Sequence, residues 1–80
     1  MKHITVKAAY SDGNAASGVR VALEVHQFIA GGMTGAEYTD RNGEAHFSLD
    51  IDSGAEISVY ANGDLKAGRG SAKSVYYVTV

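Results

Sequence analysis

Thr39-Asp40-Arg41-Asn42-Gly43-Glu44-Ala45-His46-Phe47-Ser48-Leu49 joins a polar turn to a strictly alternating strand. Asp40 and Asn42 are short side chains that bond their own backbone, and Gly43 is free to take a positive φ. Ala45, Phe47, Leu49 and Ile51 then share one face, and Glu44, His46, Ser48 and Asp50 the other. The stretch reads as a hairpin turn leading into a half-buried strand.

The same alternation recurs on either side. Residues 2–10 set Ile4, Val6, Ala8 and Tyr10 against His3, Thr5 and Lys7, with a turn at Ser11-Asp12-Gly13-Asn14. Residues 19–29 set Val19, Val21, Leu23, Val25 and Ile29 against Arg20, Glu24 and His26. A glycine-rich connection, Ala30-Gly31-Gly32-Met33-Thr34-Gly35, leads to a short strand near 36–39. Asp52-Ser53-Gly54 turns into a strand over 56–61, where Ile57, Val59 and Ala61 face inward. Asn62-Gly63-Asp64 is a tight hairpin turn, followed by a glycine-loosened edge strand over 65–70 and a β-rich strand over 72–80. No window has a helical period. Seven short strands with regular turn signals predict an all-β, seven-stranded antiparallel two-sheet sandwich, with a partly open barrel as the other architecture.

Eighty residues form one domain, residues 1–80. Such a chain hides only about 60% of its unfolded surface, which leaves little for a deep active-site cavity. The net charge is −2 with the cations scattered singly, so no basic stripe exists to follow a nucleic-acid backbone. There is no cysteine, which excludes disulfides, zinc–thiolate sites and thiol nucleophiles. No segment approaches the ~20 apolar residues that span a bilayer. Met1 to Lys7 has no signal-peptide pattern, which predicts a cytoplasmic protein if the chain is full length. A domain excised from a longer protein would be extracellular or periplasmic.

Two blocks carry a family resemblance. Asp12-Gly13-Asn14-Ala15-Ala16-Ser17-Gly18-Val19-Arg20-Val21-Ala22-Leu23 resembles the first hairpin of carboxypeptidase regulatory-like and transthyretin-like domains, with Ala15 where those domains usually carry proline. Thr39 to Phe47 resembles their T-D-x-x-G-x-a-x-F block, and Ile57 to Gly63 is similar to the valine-rich strand and turn that come next in those domains. The resemblance implies a prealbumin-like sandwich whose relatives are mostly accessory modules. It says little of function, because such folds host many. Two more specific sub-families fit poorly. The hydroxyisourate hydrolases of the transthyretin family end in Tyr-Arg-Gly-Ser and carry arginine just after the turn glycine. This chain has His3 near their first histidine, but ends Tyr77-Val78-Thr79-Val80 and has Arg41 before Gly43, with Glu44 after it. The collagen-adhesin B-type repeats join a lysine, which Lys7 could mimic, to an asparagine that the last strand here does not offer.

His3, His26 and His46 fall on polar strand faces, where neutral imidazoles could bind a metal if they converged. Solvated strand histidines explain them without any site, and the first two strands of such sandwiches usually belong to different sheets, which works against convergence. Asp50-x-Asp52-Ser53-Gly54 opens like a calcium loop but lacks its remaining ligands, and turn roles suffice for these residues. Ser48 and Ser58 have no nucleophile-elbow signature. No catalytic, cofactor or metal residue is therefore assigned, and the expectation is a protein that is not an enzyme.

Aromatic residues draw more attention. Tyr60 is out of phase with Ile57, Val59 and Ala61, and one of Tyr76 and Tyr77 must face outward. Phe28 and Met33 flank the glycine-rich connection. These five are the candidate partner or ligand contacts, since tyrosine offers contact area at small entropic cost. Covering the ends of a thin core is the alternative role. Residues 74–80 carry no charge, so an edge position would offer unpaired backbone to another chain. The expected function is a non-catalytic binding or structural accessory module acting through protein–protein contacts, with a homo-oligomer or host-protein domains as partners. A small ligand- or carbohydrate-binding sandwich using exposed tyrosines is the second reading, and a metal-binding protein using surface histidines the third.

Overall fold

A computed structural model describes residues 1–27 and 31–80; Phe28 and Ile29 lie outside the described residues. The strands are β1 (Lys2–Ala9), β2 (Arg20–His26), β3 (Gly32–Met33), β4 (Glu37–Tyr38), β5 (Glu44–Leu49), β6 (Glu56–Ala61), β7 (Asp64–Ser71) and β8 (Val75–Thr79). They form two sheets: three strands in the order β5-β1-β8, and five in the order β3-β2-β6-β7 with β4 also on β2. Among the described residues no helix is long and apolar enough to cross a membrane.

The core lies between the sheets. Ile4 and Val6 of β1, Val21 and Leu23 of β2, and Ile57 and Val59 of β6 are the largest of its fully buried side chains. Each contributes roughly 1.5–3 kcal/mol by leaving water. Their spacing is the period of two expected of strands with one buried face.

Two features of the expected architecture are corrected. Among the described residues the strands number eight, because Gly32 and Met33 of the glycine-rich connection pair with Val25 and Glu24. β3 and β4 together make one interrupted edge along β2. Between them Thr34 donates its N–H to the Leu23 carbonyl (2.8 Å), and its hydroxyl oxygen accepts the Leu23 N–H (3.0 Å). A side-chain oxygen thus stands in for the ladder where the chain bends away.

The pairing is also not antiparallel throughout. β1 and β8 run parallel, in the register Thr5↔Val75, Lys7↔Tyr77 and Ala9↔Thr79. The cause is the crossover at Ala72-Lys73-Ser74: β7 closes one edge of the five-stranded sheet, and β8 opens the edge of the other. Alternation within a strand carries no information about such a partner.

The turns follow the sequence closely. Asn62 (φ 52°) and Gly63 (φ 86°) make the two-residue link from β6 to β7, with Ala61 opposite Asp64. Gly43 has φ 78° and donates its N–H to the Asp40 carbonyl (2.9 Å). Alternation alone puts Tyr10 on the inner face of the first strand, but β1 ends at Ala9 and Tyr10 is exposed. Its N–H bonds the Asn14 carbonyl (2.8 Å), so it opens the turn.

Candidate functional site

β8 is one edge of the three-stranded sheet, and its two faces differ sharply. Tyr76 (8% exposed) and Val78 point into the core, while Tyr77 (78% exposed), Val75 and Thr79 point outward. The β1–β8 ladder is bracketed by Thr5 N–H to Ser74 O and Val80 N–H to Ala9 O, each 2.9 Å. Bonding groups of a parallel strand recur at every second residue. Tyr76 and Val78 therefore turn their main-chain groups toward β1, and Val75, Tyr77 and Thr79 turn theirs toward the open edge.

A row of side chains crosses the outer face to meet this edge. Glu44 of β5 lies opposite Lys7 of β1, which lies opposite Tyr77. Lys7 Nζ is 3.5 Å from Glu44 Oε2 and 5.9 Å from the centroid of the Tyr77 ring. The ammonium is thus partly neutralised on one side and set against an aromatic ring on the other.

Between β8 and β7 the sandwich gapes into a cleft of about 570 Å³, with Ile57, Ala67, Ala72, Val75, Tyr76 and Tyr77 among its lining. Within that lining the Tyr76 hydroxyl oxygen accepts the Lys73 N–H at 3.0 Å.

The other edges carry features that discourage pairing. β7 is bulged against β6, with register shifts between Ile57 and Val59 and between Val59 and Tyr60, and it bears Lys66 and Arg69. β3 and β4 are two residues each. β5 carries Glu44 and His46. β8 is regular and uncharged.

The four described candidate contact residues, Met33, Tyr60, Tyr76 and Tyr77, do not form one surface. Met33 is exposed beside Glu24, and Tyr60 is half-buried on the same outer face of the five-stranded sheet, its hydroxyl donating to Glu24 Oε1 (3.0 Å). Tyr77 lies on the outer face of the other sheet, Tyr76 is in the core, and Phe28 lies outside the described residues. Sequence reasoning missed Tyr38 and Leu65. Both are exposed, with Tyr38 opposite Arg20 and Leu65 opposite Tyr60. Leu65, two residues after the Asn62-Gly63 turn, is placed by the same hairpin register that puts Tyr60 outward.

The histidines are split between the sheets. His3 and His46 lie on the three-stranded sheet, where His3 Nδ1 is 2.8 Å from Ser48 Oγ and His46 Nδ1 is 3.1 Å from Thr5 Oγ1. His26 lies on the five-stranded sheet with Nε2 2.9 Å from Ser58 Oγ. Glu24 Oε1 is 3.7 Å from that same Nε2. A hydrolytic triad needs its acid on the opposite ring nitrogen from the serine, so this cluster cannot orient and charge the imidazole in that way.

One set of metal-type ligands gathers among the described residues: Asp40, Glu44 and His46, with their ligand atoms within 4.8 Å of one another. Each is already engaged. Asp40 Oδ1 accepts the Asn42 and Glu44 N–H groups at 2.8 and 3.0 Å. The Glu44 N–H is the main cause holding the Asp40 carboxyl below its ordinary value. Desolvation opposes this, and the Asn42 N–H, His46 and Arg41 add to the lowering. Glu44 also holds Lys7 and stands 3.5 Å from His46 Nε2. Asp50, Asp52 and Glu56 do not gather into such a set among the described residues.

No family model matches the chain, and the searches of curated proteins and of solved structures return no significant match.

Proposed function

We propose that this domain is a non-catalytic accessory module of the transthyretin-like kind that docks other proteins by accepting a strand along β8. The carrying observation is the contrast among edges. β8 is regular, uncharged and rimmed by Tyr77 and Val75, while β3, β4, β5 and β7 are short, charged or bulged. An added strand would find main-chain donors and acceptors at Val75, Tyr77 and Thr79 for affinity, and the cleft beside Tyr76 for side-chain selectivity.

The two sequence blocks that resemble carboxypeptidase regulatory-like domains support the accessory role. They abut through Thr39, whose backbone bonds Gly18 and Val19, and so serve architecture, leaving the β8 side of the sandwich for contacts.

The test is selection of short random peptides displayed on phage against the domain, followed by amide hydrogen exchange with the selected peptides bound. Protection should rise at Val75, Tyr77 and Thr79, and Tyr77→Lys should abolish binding. Selected peptides that protect only β2 and β6, and bind the Tyr77→Lys protein as well as the wild type, would move the docking surface to the other sheet.

A further inference from the structure

Building on the docking role of β8, we infer that its occupant is a second copy of this chain, paired antiparallel across a two-fold axis at Tyr77. The open-edge groups belong to Val75, Tyr77 and Thr79, spaced two apart and centred on Tyr77. In an antiparallel pair, residues that exchange both N–H···O bonds also recur every second position. Setting Tyr77 against Tyr77 of the second copy places Val75 against Thr79 at both ends, so every open-edge residue of β8 is bonded. Any other register leaves part of the strand unpaired. The edge is thus complementary to itself, the condition for a closed, isologous dimer.

The charges permit it. β8 brings none to the junction. On the outer face Lys7 stands one strand back, paired with Glu44. In the joined sheet, β5-β1-β8 continued by the second copy's β8-β1-β5, the two Lys7 ammoniums stand about three strand spacings, ~14 Å, apart. That exceeds the screening length of about 8 Å in physiological salt. The Tyr77 rings would meet side by side, each flanked by its own Lys7. The same operation at β7 would oppose bulged strands and bring Lys66 and Arg69 toward their copies. An interface of essentially one strand is small, so the dimer should be weak and concentration-dependent.

Because the chain has no cysteine, single cysteines read the register directly. Directly opposed, hydrogen-bonded residues have Cα atoms ~5.5 Å apart, within disulfide reach. Under mild oxidation at high micromolar concentration, Tyr77→Cys should form a disulfide dimer at least tenfold faster than Met33→Cys, an exposed control on the other sheet. Val75→Cys mixed with Thr79→Cys should cross-link faster than either alone. Light scattering should show wild-type dimer growing with concentration, and Tyr77→Lys should weaken it at least tenfold at an unchanged melting temperature. A wild-type protein monomeric at high micromolar concentration, with Tyr77→Cys no faster than Met33→Cys, overturns the pairing. If selected peptides still protect Val75, Tyr77 and Thr79 in that case, strand docking on β8 stands and only self-pairing falls.

Discussion

Thr39 Oγ1 donates to the Ala16 carbonyl oxygen at 2.6 Å, and the same hydroxyl oxygen accepts the Val19 N–H at 2.9 Å. The residue is 5% exposed, so one hydroxyl supplies both partners where water is scarce. Thr39→Val keeps the shape and strands a donor and an acceptor. The expected loss is about 1–3 kcal/mol for each group left unpaired. Urea unfolding should show it, and Thr39→Ser should recover most of it.

Gly43 should tolerate no side chain. Its φ of 78° suits glycine, and a Cβ there would run into the Ala8 carbonyl oxygen. Backbone cannot yield as a flexible side chain would, and the Gly43 carbonyl also accepts the Ala8 N–H at 2.7 Å. Gly43→Ala should therefore cost about 1–3 kcal/mol from conformation alone, with the collision in addition. Gly13→Ala has a positive φ but open space around it, so it should cost less. Thermal melts of the two variants, read side by side, separate strain from collision.

Phe47 is the buried aromatic anchor of β5 and sits in the core cluster. Phe47→Ala should lower stability by about 3–5 kcal/mol, as truncation of a buried ring does. A loss below about 1 kcal/mol in denaturant unfolding would mean that the ring is not a core anchor.

What could be read in advance was local. Asn62-Gly63 and Asp40 to Gly43 specify their turns through residues that few other conformations want, and both turns are present. The inner faces of β1, β2, β5 and β6 follow from alternation, as does the outward Tyr60. The phase of β8 could not be read, because Val75 and Tyr77 are as apolar as Tyr76 and Val78; only packing against β1 decides it. The Gly32–Met33 strand is too short to show any period. The Glu44–Lys7–Tyr77 row needs the parallel partnership of β1 and β8, a contact between the chain's two ends. The candidate site was thus legible as an uncharged segment and two tyrosines, and not as an edge.

Asp40 makes the opening turn sensitive to acid. Its carboxyl titrates below the ordinary 3.8, chiefly because the Glu44 N–H donates to it. A depressed pKa in the folded state means that stabilisation is complete above the unfolded value and fades as pH falls through the folded one. Asp40→Ala should therefore be less stable than wild type at neutral pH, with the gap closing below pH 3.8. Denaturant midpoints from acid to neutral pH measure it; a gap that does not change with pH would assign the effect to the side chain's shape and not to its charge.

Tyr60 reports on the opposite sheet. Its hydroxyl donates to Glu24 Oε1 at 3.0 Å, and this bond, with desolvation and the nearby negative charge, pushes its ionisation above the ordinary 10.0. A raised folded-state pKa gives stabilisation that is complete below the unfolded value and is lost as pH rises through the folded one. An ultraviolet titration of the wild-type protein should therefore contain a tyrosine component above pH 10.0. Tyr60→Phe should remove that component, and Glu24→Gln should move it down by withdrawing the charge. Binding to β8 should leave it in place, because Tyr60 and β8 lie on different sheets. A ligand gripping the outer tyrosines of the five-stranded sheet would shift it, so the same titration with a selected peptide bound separates the two surfaces.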